Sequence, residues 1–512
     1  MSWPPLAALF LTHFHDLTGQ EVVYYRSLSD DTTLPPALIE HTTLPSGLHT
    51  RGSDLVIFTH HGLPGAGLFR SRTREGVDAG RGRRMATLGA VLAPPTPSDT
   101  AFDLAAPLEH LYDSLEGLGD PFAKTAPAYD AAIALLDATW NAHKAEGLTG
   151  SAAQSATTVA ARLSRGVSTS NPVTYFPALL SMLGPSIVTV YKASLSGQRI
   201  LLYSPPPILP LSAFAWCVWA MGLPPSSAAN AGARSSAFLG NIGLMDIDSV
   251  KARTGGWIAT TTDTVFKSHT DGYDMFIDLS NSLPLLGDEE DIRAPRDKSL
   301  PSPEVLTCFP RSGQKPVATS TSYAFADLAL YRSLVLLDQS PRGVRAETVG
   351  FSATNRAGGI WLVVFEMLER VWNLCVGVCE FAMGRGHLNG PIALPEGEED
   401  ARRLLATDMS ELIGDEDDEE AFDEPSIVPS SSMPDDVARR GRLILDQLHH
   451  NAYHLYARLI SVAAGGWELT DDHLRSLTGA SRLNPWGGRG SSEAQFWLRL
   501  ARTWNVEPEA EE

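Results

Sequence analysis

Residues 183–221 read LGPSIVTVYKASLSGQRILLYSPPPILPLSAFAWCVWAM, and nothing else in the chain limits its fold as tightly as this apolar run. Residues 186–191 are β-branched and aromatic, which suits a buried strand. A second apolar run, residues 199–203, follows Ser196 and Gly197, so the two read as a β-hairpin whose glycine supplies the positive φ of a tight turn. Ser204 and three prolines end it, because proline cannot donate to a ladder. Residues 211–221 are apolar almost all round and read as a buried helix packed on that hairpin. Such a unit is the expected centre of a core.

At 512 residues the chain is too long for one core and should hold two or three domains. Its composition, 43% hydrophobic and 20% charged, is that of a soluble globular protein. A formal net charge of −20 argues against a general nucleic-acid binder, which needs clustered Lys and Arg. Cys217, Cys308, Cys375 and Cys379 offer neither a disulfide framework nor a C-x-x-C zinc pair, so buried, reduced thiols of a cytosolic protein are expected. The N-terminal segment lacks a basic n-region and carries His and Asp within its apolar stretch, unlike a signal peptide. Residues 360–383 are apolar but contain Glu366, Glu369, Arg370 and Glu380, which reads as a buried helix rather than a membrane span. Any membrane contact would be peripheral.

In chain order, residues 6–14, 21–25 and 54–59 are strand-like, and helical patterns follow at 108–115 and 128–145, the second bracketed by Pro127 and Gly147. This first module ends near the Ser, Thr and Ala-rich stretch 149–170, which has partial helical character. A central module adds strands at 257–259 and 273–279, with a polar turn between them from Thr260 to Asp263. That Thr-Thr-Thr-Asp cluster has no place in a core and is expected at an edge or mouth. Residues 284–303 read as a linker. Helical periodicity follows at 324–337 and 355–384, then at 437–464, 470–477 and 492–504. Between them, 396–436 carries GDEDDEEAFDEPS, whose like charges repel and predict disorder, with a phosphoregulatory segment as the functional alternative.

Residues 69–85 hold Arg70, Arg72, Arg74, Arg81, Arg83 and Arg84 against Glu75 and Asp78. They read as a solvated, flexible loop, and the functional alternative is a docking patch for an anionic membrane or acidic partner. Catalytic motifs are missing: no G-x-x-x-x-G-K-[ST] and no G-x-S-x-G string occurs, and Gly62, Gly65 and Gly67 read as a turn. His449, His450 and His454 lack an H-E-x-x-H frame and read as a polar helix face, while His60 and His61 read as structural or exposed. Cys375 and Cys379 share a helix face as small hydrophobes.

The block LSMLGPSIVTVYKASLSGQRILLYSPPPI, with GGWIATTTDTVF and GYDMFIDLS downstream, resembles the central module of the DENN family, and looks closest to its LCHN-like branch, including fungal relatives. FLTHFHDLTGQEVVYYRS with LPSGLHTRGSDLVIF is similar to the upstream DENN module, a longin-type fold. The resemblance implies an α/β (α+β) class. Residues 1–165 would form a longin-like module, 166–285 a central α/β DENN module, and 300–395 with 437–512 a mainly helical downstream module carrying the acidic insert 396–436. It further implies a guanine nucleotide exchange factor for a Rab GTPase in vesicle trafficking. Such a protein favours the nucleotide-free GTPase and needs no covalent catalytic residue, cofactor, metal or small-molecule substrate. The family places its GTPase between the upstream and central modules, which makes Lys192, Arg199, Thr261, Thr262 and Asp263 candidate contacts; ordinary capping or a solvated strand end is the other reading of each. Two alternatives stay open: a GTPase-activating protein supplying Arg199 or an arginine of 70–84, and a non-catalytic trafficking adaptor. The expected location is cytoplasmic, peripheral on secretory or endosomal membranes.

Overall fold

The computed structural model describes residues 3–28, 34–36, 38–73, 83–119, 122, 127–148, 155–282, 303–311, 314–321, 323, 327–339, 434–463, 469–478 and 492–506. Residues Met1–Ala346 and Pro434–Glu512 form one compact unit. The other unit, Glu347–Met433, lies outside the described residues, and with it the helix expected at 355–384, Cys375, Cys379 and nearly all of the acidic stretch. The linker expected at 284–303 lies there too, apart from its last residue.

One sheet of eleven strands organises the unit. Its first lobe is antiparallel: β1 (Leu6–His15), β2 (Gly19–Ser27), β3 (Ser53–His60), β4 (Leu63–Thr73) and β5 (Arg83–Leu92). The second lobe supplies β6 (Arg199–Tyr203), β7 (Ala237–Asn241), β8 (Trp257–Thr261) and β9 (Met275–Asp278), and β10 (Glu304–Arg311) and β11 (Gln314–Ser320) extend its edge. The order is β11-β10-β9-β6-β8-β7-β3-β4-β5-β1-β2. Side chains alternate across the pleat: Leu9 and Leu11 of β1 enter the main core, while Ala8 and Phe10 enter a smaller one on the opposite face. β6 pairs parallel with both β8 and β9, and its faces are both covered, Ile200 and Leu202 in the main core and Leu201 and Tyr203 in a second one, so its sequence is apolar without alternation. The α/β class with a helical C-terminal part is therefore what the chain adopts.

Helices α1 (Ile39–Thr43), α2 (Ala105–Gly117), α3 (Pro127–His143) and α4 (Ala156–Ser164) accompany the first lobe. Next come α5 (Phe176–Leu183), α6 (Ser186–Leu195), α7 (Ile208–Met221), α8 (Ser226–Asn230), α9 (Ile247–Ala252) and α10 (Asp327–Gln339). The expected hairpin is corrected here, because residues 186–191 are helix α6. Ile187, Val188, Val190, Tyr191 and Leu195 are buried in it, and tertiary burial overrides the modest helical penalty of β-branched side chains. Gly197, φ +67°, caps that helix instead of turning a hairpin: its N–H reaches Ser194 O and that of Gln198 reaches Ala193 O, a Schellman closure. Helix α7 is buried as expected, and the indole of Trp219 bonds Ser236 O at 2.9 Å.

The arginine-rich stretch is a second correction. Both its ends are strand, with Arg72 opposite Arg84 and Thr73 opposite Arg83 in the β4–β5 ladder. Arg74 and Arg81 lie outside the described residues. Gly65 and Gly67, expected in a turn, lie inside β4; a Cβ on Gly67 would stand 2.6 Å from the Thr87 methyl, so the glycine lets strand and neighbour approach.

The C-terminal helices Pro434–Ala463, Asp471–Thr478 and Ser492–Thr503 pack into the main core with Trp497, Leu500 and Trp504. Tyr191 donates to Leu448 O at 2.8 Å, and Thr503 donates to Ser196 O at 3.0 Å. His449, expected on a polar face, is instead buried, its Nε2 2.8 Å from Ala220 O, and burial lowers its pKa to about 4. Among the described residues no helix is long and apolar enough to cross a membrane.

Candidate docking seam between the two lobes

The lobes join edge to edge where Phe58 of β3 pairs Gly240 of β7. Gly240 has φ +68°, and a Cβ there would stand 2.5 Å from Ile57 O, so the join requires glycine. Side chains then pin the seam. Thr59 donates to Phe238 O at 2.9 Å, Asn241 to Thr42 O at 3.1 Å, and Thr262 to Ser46 O at 2.9 Å. Asp54 of β3 crosses it too, accepting the N–H of Ile208 at 2.7 Å and of Leu209 at 3.2 Å. These belong to the first turn of α7, where unsatisfied donors and the helix dipole favour an anion. Burial still pushes the Asp54 carboxyl up to about 6, against the pull of those N–H groups, that of Leu55, and Arg51.

Because β6, β7, β8 and β9 are parallel, their carboxyl ends share one edge of the sheet, the usual place for a site in such a layer. Asn241 and Thr262, which pin the seam, stand at that edge. The segments around it carry large exposed apolar side chains: Leu38 at 40%, Leu244 at 45%, Met245 at 57% and Val265 at 46%. Leu38 leads into α1, Leu244 and Met245 follow β7, and Val265 follows β8, so apolar residues from both lobes flank the polar pins. A contiguous exposed apolar patch rimmed by polar residues marks an interaction surface, and these four side chains are the candidates for one here. Among the described residues no group of three or more His, Cys, Asp or Glu side chains could hold a metal ion.

The sequence model of the family described as DENN domain-containing protein 11 matches residues 9–284. The chain belongs to the DENN-domain family. No curated protein matches it. The matched segment runs from β1 through β9, so both lobes of this DENN protein and their seam lie within it.

The candidate residues of the DENN chain do not form one cluster. Thr261, Thr262 and Asp263 lie at the carboxyl end of β8. Against expectation, Thr260 and Thr261 are buried in the strand, where a β-branched methyl suits the pleat; Thr261 Oγ1 accepts the N–H of Asp263 at 3.2 Å. Arg199 opens β6 and lies opposite Trp257, at the other end of the ladder from Thr261, about 13 Å along the strand. It grips Asp274 through Nη2 at 2.9 Å and Nε at 3.2 Å. Lys192 is not at a hairpin end: it projects from α6 to Asp327 at 2.7 Å and Glu493 at 2.9 Å. Burial alone would lower its pKa, and the two carboxylates more than offset that.

The arginine patch is only partly internal, since Arg70 is buried while Arg72 and Arg83 are exposed. Arg70 is buried, pairing with Asp113 at 2.6 Å and Glu116 at 3.0 Å and covering the Tyr112 ring, while Arg72 holds Glu116 through Nε and Nη2, both at 3.0 Å. Arg84 stands 3.8 Å from the same Glu116, and Arg83 is exposed. Sequence reasoning missed the acids of α2 because their partners come from strands read as loop. It also missed Asp54, whose only sequence signal is a carboxylate opening a strand. His60 is buried and structural: Nε2 lies 2.8 Å from Pro35 O, and burial lowers its pKa to about 4. Cys217 and Cys308 are buried free thiols, and burial pushes Cys308 to about 11.

Proposed function

We propose that this DENN protein is a guanine nucleotide exchange factor for a Rab-family GTPase in vesicle trafficking, acting in the cytoplasm and peripherally on secretory or endosomal membranes. The observation that carries this reading is the family match over residues 9–284, which takes in both lobes and the seam. An exchange factor works by differential affinity. It binds the empty GTPase more tightly than the nucleotide-bound form, and by linkage the bound nucleotide is expelled by the same factor. A surface that spans two lobes and combines exposed Leu38, Leu244, Met245 and Val265 with backbone-bound polar pins fits that task. Three of the arginines considered for an activating role have other work: Arg199 is bonded to Asp274, and Arg70 and Arg72 to carboxylates of α2, which counts against these three serving as a finger in phosphoryl transfer.

The test is release of a fluorescent GDP analogue from a panel of Rab GTPases, run beside GTP hydrolysis. Acceleration of release from at least one Rab is expected. Faster hydrolysis without faster release would replace the reading with an activating protein, and binding without either with an adaptor.

A further inference from the structure

We propose that Leu38 is the apolar anchor by which the first lobe holds the GTPase, an inference that rests on the exchange-factor reading above. Among the described residues three that are not glycine have positive φ: His61 at +49°, Asn505 at +54° and Leu38 at +66°. His61 stands in the turn that joins β3 to β4, just before Gly62 at +81°, and Asn505 follows the helix Ser492–Thr503. Histidine and asparagine are the kinds of residue that enter the left-handed region at such places. Leucine is not such a residue. Its Cβ crowds the following carbonyl oxygen there, and it has no polar side-chain atom to bond locally in compensation.

The surroundings impose this conformation. On one side Leu34 is buried, its carbonyl accepting from Tyr25 Oη at 2.8 Å, and Pro35 O lies 2.8 Å from His60 Nε2. On the other, Ile39 is fully buried, and Leu38 O accepts the N–H groups of His41 and Thr42, both at 3.1 Å, as α1 begins. Residue 38 therefore joins two fixed points, which is how a strained backbone persists. Glycine or asparagine would meet that geometry at lower cost. The leucine side chain is 40% exposed, so burial recovers only part of what the backbone loses. Strain and an exposed apolar group at one residue are together the mark of a contact made with a partner.

The position suits that role. Asn241 donates to Thr42 O at 3.1 Å, and a Cβ on Gly243 would stand 3.8 Å from His41 O, so α1 lies against the segment that carries Leu244 and Met245. Leu38 is the first lobe's member of the exposed apolar set. A GTPase that takes it together with Leu244 and Met245 grips both lobes at once.

The test compares Leu38→Asn, which accepts the left-handed backbone but lacks the apolar group, with Leu38→Met, which keeps the apolar group and the strain. Both are made in the full chain, GDP release is followed for the Rab that wild type accelerates most, and thermal unfolding is followed for all three proteins. Leu38→Asn should melt no more than about 2 °C below wild type, and should stimulate release at least about tenfold less. Leu38→Met should stay within about twofold of wild type in release, as a volume-conserving apolar exchange does. Wild-type exchange by Leu38→Asn would overturn the anchor, as would a larger fall in its melting temperature, which would assign the leucine to the fold. Equal loss of exchange in both variants would overturn it too, since the apolar group would not be what the GTPase reads. A wild type that accelerates release from no Rab would instead overturn the exchange-factor reading, and the anchor with it.

Discussion

Asp54 accepts the backbone N–H of Ile208 at 2.7 Å, so the first turn of α7 is capped by a carboxylate from the opposite lobe. Replacing Asp54 with Ala leaves buried donors at that helix end without their acceptor. Losing a cap costs about 0.5–2 kcal/mol and a buried unsatisfied group about 1–3 kcal/mol. Asp54→Ala should therefore destabilise the protein by about 2–3 kcal/mol in urea unfolding. A change within about 0.5 kcal/mol would remove Asp54 as a link between the lobes.

Asp54 and His449 should act oppositely in acid. The folded-state pKa of Asp54, about 6, lies above the usual carboxylate value, so the proton-linked part of its contribution, separate from the cap itself, is fully present below about 4 and is lost as pH rises through about 6. That of His449, about 4, lies below the usual imidazole value, so its contribution is present above about 6.5 and is lost as pH falls through about 4. Each shift corresponds to roughly 3 kcal/mol. His449→Gln should therefore flatten the acid side of the stability–pH curve between about 4 and 6.5, and Asp54→Asn should steepen it. Unfolding midpoints measured across that range check this, and parallel curves for all three proteins would contradict it.

At the strand junction, Gly240→Ala places a methyl against Ile57 O in a backbone conformation that L side chains rarely adopt. The expected cost is about 2–4 kcal/mol, combining strain with displacement of the β3–β7 pair. Thermal unfolding measures it, and a wild-type melting temperature would show that the join has room.

The exposed pair Leu244 and Met245 offers the cleanest separation of binding from folding. Leu244→Asp with Met245→Asp should leave the melting temperature within about 2 °C of wild type, since surface changes seldom exceed about 0.5 kcal/mol. It should slow stimulated GDP release at least tenfold. Unchanged release by a folded double variant would remove this edge from the GTPase-binding surface.

The first lobe was partly legible because β1, β3 and α3 carry clear periodicity and end signals. Residues 186–191 were misread because Ile187, Val188, Val190 and Tyr191 satisfy strand preference locally, while the decisive term, burial against α7 and the C-terminal helices, comes from up to 300 positions away, as the Lys192–Glu493 bond shows. A shorter separation, 43 to 46 positions, hid the acids of α2 that neutralise Arg70 and Arg72 on β4. Strands β10 and β11 were missed altogether. The seam was legible only through the family resemblance, which offered Thr262; Asp54 and Asn241 are unremarkable in isolation and gain their roles when two lobes meet.

The placement of Trp497 and Trp504 beside α6 bears on where this protein can be cut. A fragment stopped at residue 284, the natural boundary by family similarity, would strip an indole-rich cover from the middle of the molecule and leave bare oily helices behind. The smallest piece able to stand alone should therefore retain the helix Ser492–Thr503, whose removal will be felt some 300 residues upstream.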